Sequence, residues 1–242
     1  MVVSTSLVQD EKHEGELLEV LDIAIDIAEA DFADIRLVDP ASGRLRLVAQ
    51  RGFPREWSEF WAAESPGPGL CLLALRRGVR LVVEDIRDDA LVADMPSTRV
   101  LRRLGVRSLQ STPIVARSGA VLGTFSTHAR TPGGLHAHAR RMLDILARQA
   151  AEMVERHHAE GVLAASEERR RFLSDLEDAL RPLADPAEVE WEACRRLAER
   201  LDAARTYFMK IDEDAGRLLV KRDFTRGGAA SIAGTHRIAD HG

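Results

Sequence analysis

Two short runs of β-branched and apolar residues, separated by a tight turn, constrain the fold of this chain more than any other feature. The runs cover residues 106–115 and 120–127, and Arg-Ser-Gly at 117–119 lies between them. Gly119 stands where a tight hairpin needs a residue that tolerates a positive φ. The pair therefore predicts a β-hairpin. Thr-Pro-Gly-Gly at 131–134 then predicts a break before the next element.

The residues before the hairpin are predicted to form a mixture of short helices and strands. The apolar stripe of the first helix, over 14–30, is widened by Val20, Ile23 and Ile27 to more than half of its circumference, which predicts that part of it meets a partner. Ser97 or Thr98 is the expected N-cap of a short helix over 97–104. The other predicted elements are strands over 33–38, 44–51 and 80–83, short helices over 54–62 and 70–77, and a loop over 65–69.

A long helix is predicted after the hairpin, from about His136 to Leu180, although Gly161 weakens its middle. A helix of this length has no full core to rest on, so we expect it to pair with a second chain. The expected assembly is a parallel homodimer through the N-terminal and C-terminal helices. Its seam is predicted to include Leu21, Met142, Leu146 and Met153.

The order of elements begins again after a helix-breaking segment at 182–186. Asp39 and Asp212 occupy matching places in two similar stretches, 38–45 and 211–218, each with an Asp, a turn, a Gly, an Arg and a Leu. This pattern predicts a tandem repeat, and the second copy stops at Gly242 before the strands that would close its sheet. The expected division is one domain at 14–160, a linking helix at 161–183 and a partial second α/β module at 184–242.

Composition excludes several classes of protein. A net charge of −5 argues against nucleic-acid binding, which usually needs a basic face. Cys71 and Cys194 are too far apart for a disulfide framework or a zinc site. The first residues do not resemble a signal peptide, and no apolar run approaches the ~20 residues of a membrane span. We therefore expect a cytoplasmic protein that does not bind membranes.

Three groups of motifs together resemble the GAF domains of bacterial sensor histidine kinases. They are LVAQRGF at 47–53, VVEDI at 82–86 followed by LGVR at 104–107, and QSTP at 110–113 followed by GTFSTH at 123–128. The resemblance covers about residues 15–160. The second copy, with DFT at 223–225 and SIAG at 231–234, resembles the start of a GAF domain in multi-domain kinases, including the HWE type.

The resemblance implies an α+β fold with a central antiparallel sheet flanked by helices. Short helices over one face would frame a ligand pocket, and the terminal helices would cover the other face and often dimerise. The chain departs from ligand-defined branches of the family. Ser97 stands where phytochrome-like domains carry a pocket His, and no Cys lies nearby, although His128 matches another pocket His. The cyclic-nucleotide signature is not found. The resemblance thus disfavours both bilin and cyclic nucleotides and leaves the cofactor unknown.

Candidate ligand-binding residues follow from the hairpin and from the resemblance. Thr124, Ser126 and His128 alternate on one strand and so share a face, as Leu109 and Ser111 do on its neighbour. Polar side chains under a pocket can orient a small ligand, but a merely solvated strand end fits equally well. Cys71 falls in a helix where GAF domains line their pocket, and a lone thiol is more often a packing residue.

No catalytic residues and no metal ligands are predicted. His136 with His138, and His157 with His158, lack the four-residue spacing of helical metal sites. The predicted function is a sensory region that binds a small ligand or senses a redox signal and relays it through a dimeric helix to an output domain such as a histidine kinase. The alternatives are a thiol-based reductase using Cys71, as in the methionine sulfoxide reductase branch of the family, and a pure dimerisation scaffold.

Overall fold

The computed structural model describes residues 11–62 and 69–238, with side chains from residue 14 onward. The chain divides into two compact units after Val162. Of the predicted loop over 65–69, only Gly69 lies within the described residues.

The first unit contains nine elements and the start of a tenth, as far as its described residues go. The predicted helices and strands are all present, with ends that differ by at most three residues. The elements are α1 (Glu11–Ala28), β1 (Phe32–Val38), β2 (Leu45–Arg51), α2 (Arg55–Ala62), α3 (Leu70–Arg77), β3 (Leu81–Val83), α4 (Pro96–Arg103), β4 (Ser108–Val115), β5 (Val121–Ala129) and the beginning of α5 (Ala137–Leu180).

A five-stranded sheet in the order β2-β1-β5-β4-β3 forms the centre of this unit. All four pairings are antiparallel. Gly119 has a φ of 87° in the β4–β5 turn, and its N–H donates to the carbonyl of Ala116 over 2.9 Å. The hairpin and the α+β fold with a flanked antiparallel sheet are therefore confirmed.

Alternation along the strands gives the sheet two different faces. One face, with Ile35, Ile114 and Phe125, packs against α1 and α5 and forms one hydrophobic core. Gly123 in β5 lies so close to β1 that a Cβ there would stand 2.1 Å from the Arg36 carbonyl oxygen. Only glycine permits this approach of the two strands.

The other face is covered by the short helices α2 to α4. Its core is rich in aromatic and long aliphatic side chains, among them Phe53, Trp57, Trp61, Leu70 and Leu101. The two cores enclose the sheet between two layers of helices, which places β1, β4 and β5 in the interior. These three strands carry the candidate site.

Two sequence predictions need correction. Helix α4 begins at Pro96 with Met95 as N-cap and no side-chain cap, so Ser97 and Thr98 do not cap it. Both are buried, because the fixed φ of Pro96 starts the helix one residue earlier and turns them inward. The proposed dimer seam is also partly occupied, since Leu21 and Leu146 lie in the core beside the sheet.

The second unit begins within α5 and continues with helix α6 and a three-stranded sheet. Asp185 caps α6 by accepting the Ala187 N–H over 2.9 Å. Ala193, Cys194, Ala198 and Val220 are its buried hydrophobic residues within the described part of the chain. Strand β8 was not predicted from the sequence. The elements are α6 (Pro186–Leu201), β6 (Arg205–Asp212), β7 (Arg217–Thr225) and β8 (Gly234–Arg237), and the sheet order is β6-β7-β8.

Candidate functional site

Strand β1 places a charged pair in the interior of the first unit. Asp34 and Arg36 lie two residues apart, so both side chains project from the same face of the sheet. Asp34 is 0% exposed and Arg36 is 2% exposed. Arg36 Nη2 donates to Asp34 Oδ2. A charged pair is costly to bury, and this one lies in a core of aromatic and aliphatic side chains.

Helix α2 supplies two tryptophans that hold this pair. Trp57 Nε1 donates to Asp34 Oδ2 over 2.9 Å. The Arg36 guanidinium lies over the ring of Trp61, 4.1 Å from the ring centroid. This is the geometry of a cation–π interaction in a desolvated place, where such interactions are strongest.

His128 at the end of β5 completes the charged group. It pairs with Phe32 of β1 and with Leu109 of β4, and its ring meets the ring of Phe53 edge-on at 5.0 Å. Its Nε2 lies 3.5 Å from Asp34 Oδ2, too far for a well-formed hydrogen bond. Burial lowers the pKa of His128, and the nearby Asp34 charge only partly opposes this. His128 is therefore neutral near pH 7.

At Asp34, unlike at His128, the effect of the neighbouring groups on the pKa outweighs the effect of burial. Burial alone would raise the pKa of Asp34, but the Arg36 charge, the His128 ring and the Trp57 N–H together outweigh burial and lower it. The carboxylate is thus ionised beside a permanently charged guanidinium. The site presents one charged pair and one neutral imidazole on a single face.

The sequence-predicted site residues on the hairpin lie beside this group. Ser111 and Ser126 face each other across β4 and β5, with their Oγ atoms 2.8 Å apart. Thr124 is fully buried two residues before Ser126, and Leu109 is buried opposite His128. All five hairpin residues project from the face that carries Asp34 and Arg36, and not one is a solvated strand end.

Cys71 in α3 packs into the same core. A Cβ built on Gly69 would meet Cys71 Sγ at 3.4 Å and Ser97 Oγ at 3.1 Å, so these side chains are close neighbours. Burial raises the pKa of the Cys71 thiol, and both cysteines of the chain are free. A buried thiol with a raised pKa is a poor nucleophile, because thiolate is the reactive form.

Several polar atoms in this group have no hydrogen-bond partner within the described chain. They are Asp34 Oδ1, Arg36 Nε, Trp61 Nε1, Thr124 Oγ1 and both ring nitrogens of His128. Each such buried group costs about 1–3 kcal/mol relative to a satisfied one. We call these five residues the polar site. Its unpartnered atoms comprise N–H donors, a hydroxyl and a carboxylate oxygen.

Other kinds of site are not evident in the part of the chain that the structure describes. No group of three or more His, Cys, Asp or Glu side chains there could hold a metal ion. None of the described helices is both long and apolar enough to cross a membrane.

The GAF domain family model matches residues 14–155, more than half of the chain. The chain belongs to the GAF domain family. No curated protein matches it.

Solved structures from several bacteria share the fold, and three of them illustrate it. A domain from a protein assigned as a two-component sensor histidine kinase of Sinorhizobium meliloti 1021 is 24% identical, with 62% of this chain and 96% of that chain covered and a TM-score of 0.50. The blue-light absorbing form of the Thermosynechococcus elongatus PixJ GAF domain is 18% identical, with 69% and 98% covered and a TM-score of 0.50. Bacteriophytochrome RpBphP3 from R. palustris is 14% identical, with 92% and 48% covered and a TM-score of 0.59. At these identities the likeness shows the fold alone.

Sequence reasoning missed Asp34, Arg36, Trp57 and Trp61. The signal for the first two was present, because two charged residues alternate within the apolar stretch Phe32-Ala-Asp-Ile-Arg-Leu-Val38 and both therefore point to one face of a buried strand. No such signal was present for the tryptophans. Trp57 and Trp61 are four residues apart on an amphipathic helix, a pattern that predicts ordinary packing in the core.

Proposed function

We propose that the first unit is a non-catalytic sensory module whose polar site binds a small polar molecule. The observation that carries the proposal is the convergence of unpartnered, buried hydrogen-bonding atoms on one sheet face of a GAF domain. The five side chains of the polar site come from β1, α2 and β5. A ligand that formed hydrogen bonds with all five would remove the free-energy cost of burying their polar atoms without partners. The two tryptophan rings give that ligand an apolar wall.

The sheet offers a route from the polar site to the terminal helices. Ile35 lies between Asp34 and Arg36 along β1, and Phe125 lies between Thr124 and Ser126 along β5. Both Ile35 and Phe125 pack in the core against α1 and α5. A ligand that shifts these strands therefore shifts the packing under α5. We infer that α5 passes this change, within a homodimer, to an output domain such as a histidine kinase.

Thiol chemistry is less well supported than ligand binding. The buried, protonated Cys71 favours a packing role within the hydrophobic core. A scaffold without a ligand would keep its polar atoms unsatisfied, which makes it the costlier arrangement.

Native mass spectrometry of protein purified from cells tests the proposal. The wild type should carry a small molecule, either as purified or after incubation with a cell extract. Thr124→Val keeps the shape of the buried side chain and removes its hydroxyl, so it should weaken retention about tenfold. Thr235→Val, the same substitution on the exposed strand β8, is the matched control and should retain the molecule. A wild type that carries nothing in either preparation contradicts ligand sensing, and equal retention by Thr124→Val contradicts this site.

A further inference from the structure

A cavity lies in the first unit, on the face of the sheet opposite the polar site. Its volume is about 210 Å³. Its walls are the end of α1 at 27–30, the segment 131–136 and Ala139 of α5, and strands β3 to β5 form its floor. We call it the helix-end pocket. It is smaller than the ~300–1,000 Å³ typical of drug-sized sites, so its occupant has to be a small molecule.

Strand pairing fixes which side chains form the floor. Val82 pairs with Gln110, and Gln110 pairs with Thr127, so the three lie in one row across the sheet. Leu109 and His128, their neighbours along β4 and β5, point to the other face. The helix-end pocket and the polar site therefore share strands but no side-chain face.

Gln110 is one of the residues that line this pocket, and its side-chain amide carries an unsatisfied donor. Arg80 Nε donates to Thr112 Oγ1 over 2.7 Å, and Thr112 Oγ1 donates to Gln110 Oε1 over 2.6 Å. This relay sets the orientation of the amide. Gln110 is 2% exposed, yet its Nε2 finds no partner among residues 11–62 and 69–238. A primary amide nitrogen has two N–H donors, and its oxygen has a second lone pair beyond the one used by Thr112.

The lining is otherwise weakly charged. Glu29 and His136 are its titratable residues, and it includes no Arg or Lys. His136 Nδ1 accepts the Ala139 N–H over 3.1 Å and so caps the start of α5. Ile27 and Leu135 provide apolar wall. An anion would meet the carboxylate of Glu29 without a cationic side chain in the lining to compensate, so the lining favours an uncharged ligand.

We propose that the helix-end pocket binds a small, uncharged primary carboxamide through Gln110. The ligand carbonyl accepts from Gln110 Nε2, and the ligand amide N–H donates to Gln110 Oε1, which gives two parallel hydrogen bonds between two amides. Its apolar part lies against Ile27 and Leu135. An occupant would join the end of α1 to the start of α5, the two helices that cover this face of the sheet.

Binding is tested on the full chain by ¹H–¹⁵N NMR of the Gln110 side-chain amide, with benzamide and acetamide as probes and benzoate as the charged analogue of the same shape. We expect benzamide or acetamide to shift the Gln110 Nε2 resonances with a Kd in about the millimolar range, and benzoate to leave them in place. Gln110→Leu should weaken probe binding about tenfold or more. Gln149→Leu, the same substitution on the exposed face of α5, is the matched control and should bind as the wild type does.

The proposal is overturned if neither carboxamide shifts the Gln110 resonances of the wild type, a result that does not depend on how any variant folds. It is also overturned if benzoate binds as well as benzamide, or if Gln110→Leu binds like the wild type. These outcomes are independent of the polar site, since Thr124→Val should leave the Gln110 shifts unchanged.

Discussion

At the scale of single residues, the polar site contains a charged pair and a neutral imidazole. Asp34 and Arg36 are fully buried and bonded to each other, and Trp57 and Trp61 hold one member each. Replacing a buried ion pair by apolar residues is often neutral or stabilising, so the pair is weak evidence for a role in stability. Its unpartnered atoms fit better with recognition of a ligand.

His128 makes the first unit sensitive to acid. Its folded-state pKa lies below the ordinary value of 6.5, because burial disfavours the charged ring. Below pH 6.5 this histidine binds a proton in the unfolded chain but stays neutral in the folded chain. The free energy of unfolding therefore decreases as the pH falls from 6.5 towards the folded-state pKa. The loss is at most about 1.4 kcal/mol for each pH unit.

Urea titrations at about pH 7.5 and about pH 5.5, followed on the Trp57 and Trp61 indole resonances, measure this effect. We expect a lower free energy of unfolding at the acidic pH for the wild type and a clearly smaller difference for His128→Phe. If both proteins lose the same stability, His128 is not the group responsible.

At the scale of elements, local signals predicted most of the fold. Gly119 identified the hairpin because only a residue tolerant of positive φ suits that turn. The long apolar seam identified α5 despite Gly161, since one glycine costs only about 1 kcal/mol in a helix of 44 residues. The cap of α4 was mispredicted because Pro96 started the helix early, and the side chains of Ser97 and Thr98 were needed in the core.

The proposed dimer must use surfaces that the core leaves free. Leu21 and Leu146 are already buried against the sheet, whereas Ile23 of α1 is 48% exposed and Ile145 of α5 is 44% exposed. We therefore expect Ile145→Glu to place a charge in the interface and to convert a dimer into a monomer. Sedimentation velocity measures the change.

Val79→Glu is the matched control, because Val79 is a similarly exposed aliphatic residue outside the helices. It should remain dimeric, and circular dichroism should show that both variants keep the wild-type helix content. A wild type that sediments as a monomer at concentrations of tens of micromolar refutes the dimer, whatever the variants do.

At the scale of the whole molecule, one sheet separates two chemically different layers in the first unit. The alternation was enough to predict that Thr124, Ser126 and His128 share a face of β5 and that Leu109 and Ser111 share a face of β4. The strand register then puts both sets on the same face of the sheet. The alternation could not predict what lies over that face, because the contact between Asp34 and Trp57 joins residues 23 positions apart through tertiary packing. The helix-end pocket escaped prediction for the same reason, since it forms where α1, α5 and the sheet meet.

The central claim, that the polar site holds a small molecule, is tested most directly on the tryptophan indole N–H resonances. The chain has three tryptophans. Trp57 and Trp61 lie at the polar site, and Trp191 lies in the second unit and serves as an internal reference. Protein stripped by unfolding and refolding is titrated with the molecule released from the purified wild type. Shifts of the Trp61 and Trp57 resonances with Trp191 unmoved are the predicted result; a bound molecule that leaves Trp61 unmoved would contradict the account.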